Sequence, residues 1–439
     1  MSDPREEGGQ DDWPRPAIAW STVGVLLVVY VFSFADRQIL SLLVAPVKAD
    51  LNISDTQFSL LSGLAFALFY TVLGVPFGRL ADRMSRRALI SAGAFLWSLM
   101  TMVSGLTHTY WQLFAARVGV GVGEAALGPA AFSMLSDLFP PEKRARAFSV
   151  YSLGIYIGAG LAFGLGGIIA GSIAANPRTV LPVVGEVASW QAVFFIIGGP
   201  GLLLPLLMFM LPEPARRGPR IAEPLALGDA ARWVWQRRRL FGPYFIGFGV
   251  MVLYGFAVLA WAPELFRRIH GMDIREVGTT IGLTMAFAGS AGVLAGGYYT
   301  DRLRQRGKAD SALIAGIVSA LAGIIPGVLF PLVAAPGLAL ALLAAVFFTG
   351  AFASGAAPAA LGLVTPNEMR GQVSALYLLA INVLGIALGP TVPALLTDFA
   401  FADEMRLGWS LSVTALATGA IATWLLIRAR PEFMRACAV

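Results

Sequence analysis

"GRLADRMSRR", residues 78–87, carries five charges in ten positions, while the stretches that flank it, near 56–78 and 88–107, carry none. An apolar run of about 20 residues is long enough to cross the ~30 Å hydrocarbon layer as a helix. Inside that layer the backbone must satisfy its own hydrogen bonds, which a helix does. The charged segment is therefore a loop between two membrane helices. Working outward from it, twelve such runs can be marked, from 18–46 at one end to 408–427 at the other, with 110–136 the fourth and 241–263 the seventh. The expected fold class is all-α integral membrane.

Composition points the same way. Of 439 residues 57% are hydrophobic and 13% charged, and the mean hydropathy is +0.72, whereas soluble chains carry about 25% charged residues. The formal charge of +6 has a topological origin. With the N-terminus inside the cell, 24 of the 32 Lys and Arg fall on cytoplasmic segments, six fall outside and two, Arg37 and Arg117, lie within helices. That asymmetry is the positive-inside rule. It predicts a multi-pass protein of the cell (inner) membrane with both termini cytoplasmic, and it leaves no need for a nucleic-acid partner. Basic clusters such as 79–87, 232–239 and 301–308 read as topological and headgroup-facing. The first 17 residues have no basic n-region and no small-residue cleavage site, so no removable signal peptide is expected. A lone cysteine, Cys437, and two histidines, His108 and His270, set far apart in predicted external loops, give no basis for a metal site, and no cofactor is expected.

The loop also has a copy. A shift of 219 residues places "GRLADR" (78–83) on "GYYTDR" (297–302), Trp190 on Trp409, and "LPEP" (211–214) on "RPEF" (430–433). A fourth pair, "PEKRARAFSVY" (141–151) and "PNEMRGQVSALY" (366–377), aligns when Arg144 is matched to Arg370, and each then has a Tyr seven residues on. The predicted organisation is a cytoplasmic tail (1–17), a six-helix bundle (18–211), a basic cytoplasmic linker (212–240), a second six-helix bundle (241–430) and a short cytoplasmic tail (431–439). Two parallel six-helix units of this kind can rock about a site at the midplane.

On these residues the chain resembles the major facilitator superfamily over essentially its whole length. "GRLADRMSRR" looks like that superfamily's loop between helices two and three, with Gly78, Asp82, Arg83, Arg86 and Arg87 in matching places. "RVGVGVG" (117–123) resembles its fourth-helix pattern. More narrowly, "FADRQIL" (34–40) and the long segment from "GVGEAALG" to Tyr151 resemble the Spinster family of lipid transporters, whose members carry Asp-Arg in helix one and Gly-x-Gly-Glu in helix four. The resemblance implies a twelve-helix transporter of a lysophospholipid or sphingolipid-like molecule. The second loop copy is degenerate. Helix five has Ala159 after Gly158, where the superfamily's antiporter signature has Gly-Pro, so the direction of transport stays open.

Four charges fall away from the predicted helix ends: Asp36, Arg37, Arg117 and Glu124. A charge near the middle of a membrane helix costs about 2.5–3.5 kcal/mol on insertion scales, so such residues are rare and usually functional. At 1.5 Å per residue, Asp36 and Arg37 lie ~14 Å below the outer end of helix one, and Arg117 and Glu124 ~10 and ~21 Å down helix four. Seven residues apart, Arg117 and Glu124 share a helix face. The expected cluster pairs Arg37 with Glu124 and Arg117 with Asp36. A static ion network for packing is the alternative, but desolvation offsets the attraction of buried pairs and makes them weak stabilisers. The functional reading is proton coupling: a carboxylate separated from its guanidinium in a low-dielectric site favours taking up a proton. Either carboxylate can serve, with Asp36 favoured as carrier and Glu124 as the Arg partner. The Spinster resemblance supports Asp36, Arg37 and Glu124 in this role, and the wider superfamily supports Arg117.

No embedded charge is expected in helices seven to twelve, so the second bundle should offer an apolar or weakly polar wall. Met251, Tyr254, Val258 and Trp261 form one bulky stripe on helix seven, and Asn382 adds an amide in helix eleven. Met251, Tyr254, Trp261 and Asn382 are candidate cavity residues, although lipid-facing or packing roles account for them as well. In the loop, Asp82 with the arginines near it is expected to form a latch that breaks when the cytoplasmic side opens. The sequence thus predicts a secondary transporter, not an enzyme, working as a monomer with protons, a lipid-like small molecule and membrane lipids as partners. A multidrug or organic-anion carrier is the nearest rival. An intramembrane lipid-modifying enzyme is a further one, and it would have to rely on carboxylates alone.

Overall fold

A computed structural model describes residues 13–174, 178–182, 184–216, 227–366 and 369–437. Most of the predicted N-terminal tail (1–12) and the middle of the linker (217–226) lie outside the described residues. Among those described, twelve helices are long and apolar enough to span a membrane. The first six are α1 (Pro16–Leu42), α2 (Asp55–Gly74), α3 (Arg86–Ser104), α4 (Tyr110–Leu138), α5 (Arg146–Ser172) and α6 (Ser189–Phe209). The second six are α7 (Arg238–His270), α8 (Ile274–Gln305), α9 (Ser311–Leu329), α10 (Pro336–Val364), α11 (Arg370–Phe401) and α12 (Glu404–Cys437). The chain is a twelve-helix, all-α membrane protein in two six-helix bundles. A hairpin, β1 (Arg178–Leu181) and β2 (Gly185–Ala188), joins α5 to α6. A short helix, Leu227–Gln236, precedes α7.

Local chemistry starts these helices where the sequence places polar caps. Ser54 opens α2 and Thr109 opens α4, each in a capping box with a glutamine three residues on, Gln57 and Gln112. Ser85 caps α3 by accepting from the Ala88 N–H, so the charged loop of the opening stretch is also a helix start, with Arg86 and Arg87 in the first turn. Helix α1 continues only to Leu42, short of the expected residue 46, before a separate helix over Val44–Leu51. Asp36 therefore sits six residues, ~9 Å, from that end.

The bundles meet chiefly along α2 with α11 and α5 with α8, and the last turn of α1 also touches α7. Glycine permits both main seams. A Cβ on Gly63 of α2 would stand 2.8 Å from the Ile386 carbonyl of α11, and one on Gly278 of α8 would stand 2.3 Å from the Phe163 carbonyl of α5. At the face carrying the linker, the linker face, the apolar core is divided between a body built on the first bundle, which Ile386 and Ala387 of α11 join, and another in the second bundle. At the opposite, far face it is a single body that runs from Phe34, Leu40 and Phe163 of the first half to Trp261, Phe266 and Val277 of the second. The halves are joined at the far face and parted at the linker face.

Traces of the duplication survive in side-chain detail. Arg144 donates through Nε to the Phe139 carbonyl at 2.9 Å, and its counterpart Arg370 donates to the Thr365 carbonyl at 3.3 Å, each reaching back five residues.

Candidate functional site

Where the halves part, a cavity of about 1020 Å³ runs from Tyr30, Arg37 and Glu124 at its inner end to Arg79, Asp82 and Gln372 near the linker face. That is the upper end of the ~300–1,000 Å³ typical of small-molecule sites. Its walls are unequal. Among the described residues the four charged ones that line it, Arg37, Arg79, Asp82 and Glu124, come from the first half. The second half contributes apolar and weakly polar groups, among them Met251, Tyr254, Val258, Phe347, Tyr377 and Asn382.

The four charges singled out from sequence come together at and behind the inner end. Glu124 lies at a break in α4, where the helix Tyr110–Glu124 gives way to a turn before Leu127–Leu138. Its Oε2 accepts from Arg37 Nε (2.7 Å) and Nη2 (2.6 Å) and from Ser33 Oγ (2.6 Å). Its Oε1 accepts from no described residue. The Arg37 guanidinium also lies 4.4 Å from the ring centre of Phe66 and 4.6 Å from that of Tyr70, so its charge is met by a carboxylate and by aromatic faces. Asp36 pairs more loosely with Arg117, Oδ1 to Nη1 at 3.7 Å, and its Oδ2 accepts from the Thr101 hydroxyl of α3. This second pair is not on the cavity wall. Asp36 is 3% exposed and Arg117 fully buried, sealed within the first bundle.

Helix α4 can supply both charges because its glycines bring it close to two neighbours. A Cβ on Gly121 would stand 2.5 Å from the Phe66 carbonyl of α2, and one on Gly123 would stand 2.7 Å from the Trp97 nitrogen of α3. The "GVGVG" run is thus a packing device, as expected for small residues at a membrane helix interface.

Three expectations need correction. Trp261 does not line the cavity: it is 1% exposed, in the far-face core, and donates Nε1 to the Pro390 carbonyl at 2.7 Å. The second half is not free of embedded charge, since Glu264 of α7 is 3% exposed. It lay one residue beyond the predicted helix and was not counted. Arg86 and Arg87 of the loop, finally, do not face Asp82. Arg86, fully buried, binds Asp137 at the end of α4 and Glu213 beyond α6 (2.9 Å), while the Arg87 guanidinium donates to the Leu211 carbonyl at 2.8 Å. This is a tether inside the first bundle. Burial alone would raise the proton affinity of Glu213, but donors from Ser85, Arg86 and Arg87 outweigh it and hold the carboxyl below its ordinary range. Gly78 and Asp82 line the cavity, and Arg83 is exposed beside them.

At the far face an ion network crosses between the halves. Asp55 of α2 accepts from Lys48 at 2.5 Å and from both Nη atoms of Arg268 of α7 at 2.7 Å. Arg268 Nε binds Glu264 at 2.6 Å, Lys48 reaches Glu404 at 2.7 Å, and the Thr56 N–H donates to Asp398 at 2.7 Å. Sequence reading missed this set because charges at helix ends are ordinary. The available signal was Glu264 four residues before Arg268, a spacing that favours an ion pair. Ser33 and Thr101 were missed as well, since hydroxyls in membrane helices usually bond their own backbone.

The described architecture agrees with a comparison of the whole sequence: the family model described as Major Facilitator Superfamily matches residues 26–390. The chain belongs to the major facilitator superfamily. Within this superfamily of membrane transporters, an "MFS-type efflux pump" of Mycolicibacterium smegmatis is 29% identical over 420 residues, 93% of each chain. "Protein spinster homolog 1" of Bos taurus is 30% identical over 254 residues, which is 56% of this chain and 45% of that protein. The crystal structure of a bacterial homolog to the human lysosomal transporter Spinster, inward-facing and unoccupied, shares the fold with a TM-score of 0.78 at 24% identity, covering 97% of this chain and 98% of that one.

Proposed function

We propose that this superfamily member is a proton-coupled transporter of an amphiphilic, lysolipid-like molecule, belonging to the Spinster branch and working as a monomer in the inner membrane by alternating access. The observation that carries the reading is the unequal cavity, charged on one wall and, among the described residues, free of charged lining groups on the other. A headgroup fits the first wall and a hydrocarbon tail the second. With the linker face and both termini cytoplasmic, as the basic residues predict, the cavity opens inward and the far-face network closes the outside.

In this mechanism Arg37 is the shared element. A substrate anion, or movement of the aromatic wall around Phe66 and Tyr70, draws the guanidinium away from Glu124, and the carboxylate left in an apolar site then favours binding a proton. Asp36 and Arg117 form a second, more deeply enclosed stage of the same relay. Asp82, on the cavity wall near Arg83, is positioned to meet the second half when the linker face closes, completing the latch. The similarity to Spinster proteins supports the lipid-like cargo, and the similarity over nearly the whole chain to an efflux pump supports a second reading, a multidrug or organic-anion transporter of the same fold.

The test is uptake of fluorescent lysophosphatidylethanolamine into vesicles containing the full chain, with a pH difference across the membrane. Native protein should accumulate the probe, and Asp36→Asn and Glu124→Gln should each reduce pH-driven uptake by about tenfold or more, the scale of removing a membrane-embedded charge. Normal uptake by both variants would remove the proton role of these groups. Competition by cationic drugs but not by lysolipids would favour the second reading.

A further inference from the structure

The two carboxylates of the cluster face different ways. Glu124 borders the substrate cavity; Asp36 and Arg117 do not, and lie behind its wall within the first bundle. A proton that reaches Asp36 needs another path, and helix α3 presents one. Thr101, whose hydroxyl donates to Asp36, is followed by Ser104 and then by Thr107 in the turn beyond the helix. All three are 4% exposed or less. The Ser104 hydroxyl donates to the Met100 carbonyl at 3.0 Å and the Thr107 hydroxyl to the Ser104 carbonyl at 2.8 Å, while the Thr107 carbonyl accepts from Gln191 Nε2 of α6 at 2.6 Å. Beyond it comes exposed His108 at the far face.

The row is one-sided. Toward the far face a hydroxyl recurs every three residues, ~4.5 Å of rise. Toward the linker face Ser98 is followed only by Ser91, a ~10 Å gap filled by buried Ala94 and Trp97. A second observation marks the inner end as a place for a mobile polar guest. Asp36 Oδ1 and Arg117 Nε and Nη1 are all buried with no hydrogen-bond partner among the described residues. A bridging water needs two to four such partners.

We infer that Thr101, Ser104 and Thr107, the last held in place by Gln191, form with intervening water a proton path between Asp36 and the far face, separate from the substrate cavity. This rests on the proton-coupled reading above. In each step a hydroxyl turns from its backbone carbonyl, accepts a proton from a bridging water on a lone pair and gives its own to the next water inward, until Thr101 hands one proton to the Asp36 carboxylate, which becomes a carboxylic acid; release reverses the sequence. The charged groups facing Asp36 are Arg117 from α4 and the adjacent Arg37 with its Glu124 partner, and α3 brings only hydroxyls to it. The substrate and the proton would thus enter the same relay from opposite faces.

The experiment compares two rates in the same vesicles, using fluorescent lysophosphatidylethanolamine as the probe: uptake driven by a pH difference, and exchange at equal pH, which needs no net proton movement. Ser104→Val, Thr107→Val and Gln191→Leu should each slow pH-driven uptake about fivefold, the scale of one lost hydrogen bond, and leave exchange at the native rate, while Ser104→Thr retains both. Folding is scored first by thermal midpoint, and if Ser104→Val is lost the two outer variants decide. Native pH-driven rates in the folded variants overturn the path alone. Absence of pH-driven uptake in the native protein overturns the coupling reading and the path with it.

Discussion

Glu124 concentrates three donors on one oxygen and leaves the other without a partner. Such a carboxylate is held strongly on one side, while its second oxygen is buried with no hydrogen-bond partner among the described residues. Removing its charge strands Arg37, whose side chain is 9% exposed, beneath two aromatic rings. Breaking a buried pair by deleting one partner costs about 3–5 kcal/mol because the remaining charge has nothing to offset its desolvation. Glu124→Gln should therefore lower the thermal midpoint in detergent as well as transport, and Ser33→Ala, which removes a single donor, should cost only about 1 kcal/mol. At this scale the sequence was informative about charge and silent about hydroxyls. Asp36, Arg37, Arg117 and Glu124 stand out because their neighbours are apolar, whereas Ser33 and Thr101 are indistinguishable from serines and threonines elsewhere in the spans.

Among elements, the start of α3 is tied to the segment beyond α6 by Arg86 and Glu213. In the second half the start of α9 is tied to the end of α12 by Asp310 and Arg430 at 2.7 Å, the same kind of bond with the signs exchanged. Sequence alignment hides this, since the 219-residue shift pairs Arg86 with Gln305 and Glu213 with Glu432. The tether has a calculable pH response. The folded Glu213 carboxyl lies below its ordinary value of 4.5, so its contribution is present above that value and fades as pH falls through the lower, folded one. Partial exposure makes the effect modest. Native protein should be more heat-stable than Glu213→Gln at pH 7, and the difference should shrink once the pH drops below the ordinary carboxylate value; a constant gap across the range would show that the charge is irrelevant. Element ends were the weakest part of the sequence reading, at α1 by four residues and at α7 by enough to hide Glu264. Hydropathy marks where an apolar run stops, while caps and ion pairs decide where the helix does.

For the molecule as a whole, the network of Lys48, Asp55, Arg268, Glu264 and Glu404 joins the halves on the side where the core is continuous. Arg268→Gln leaves Asp55 and Glu264 without their shared partner and should shift the population toward far-face opening. Spin labels at the far-face ends of α2 and α8 should then report longer distances in a larger fraction of molecules, and a distribution unchanged from the native one would show that packing alone holds that side. The two-bundle plan was legible from the repeat because each copy keeps its own loop, tryptophan and Pro-Glu pair near the end of its last helix. The network was not, because its members are separated by up to 356 residues and sit at helix ends where charge is unremarkable.

The undivided apolar body at the far face has a further consequence for leakage. Swinging that side apart breaks ionic contacts and also bares oily side chains on both walls, which water alone cannot compensate. A passenger with a hydrocarbon chain can fill the gap as it forms; a bare ion cannot. The seam itself would then penalise empty swings that carry protons without cargo, so the grease between the bundles guards the stoichiometry of the cycle.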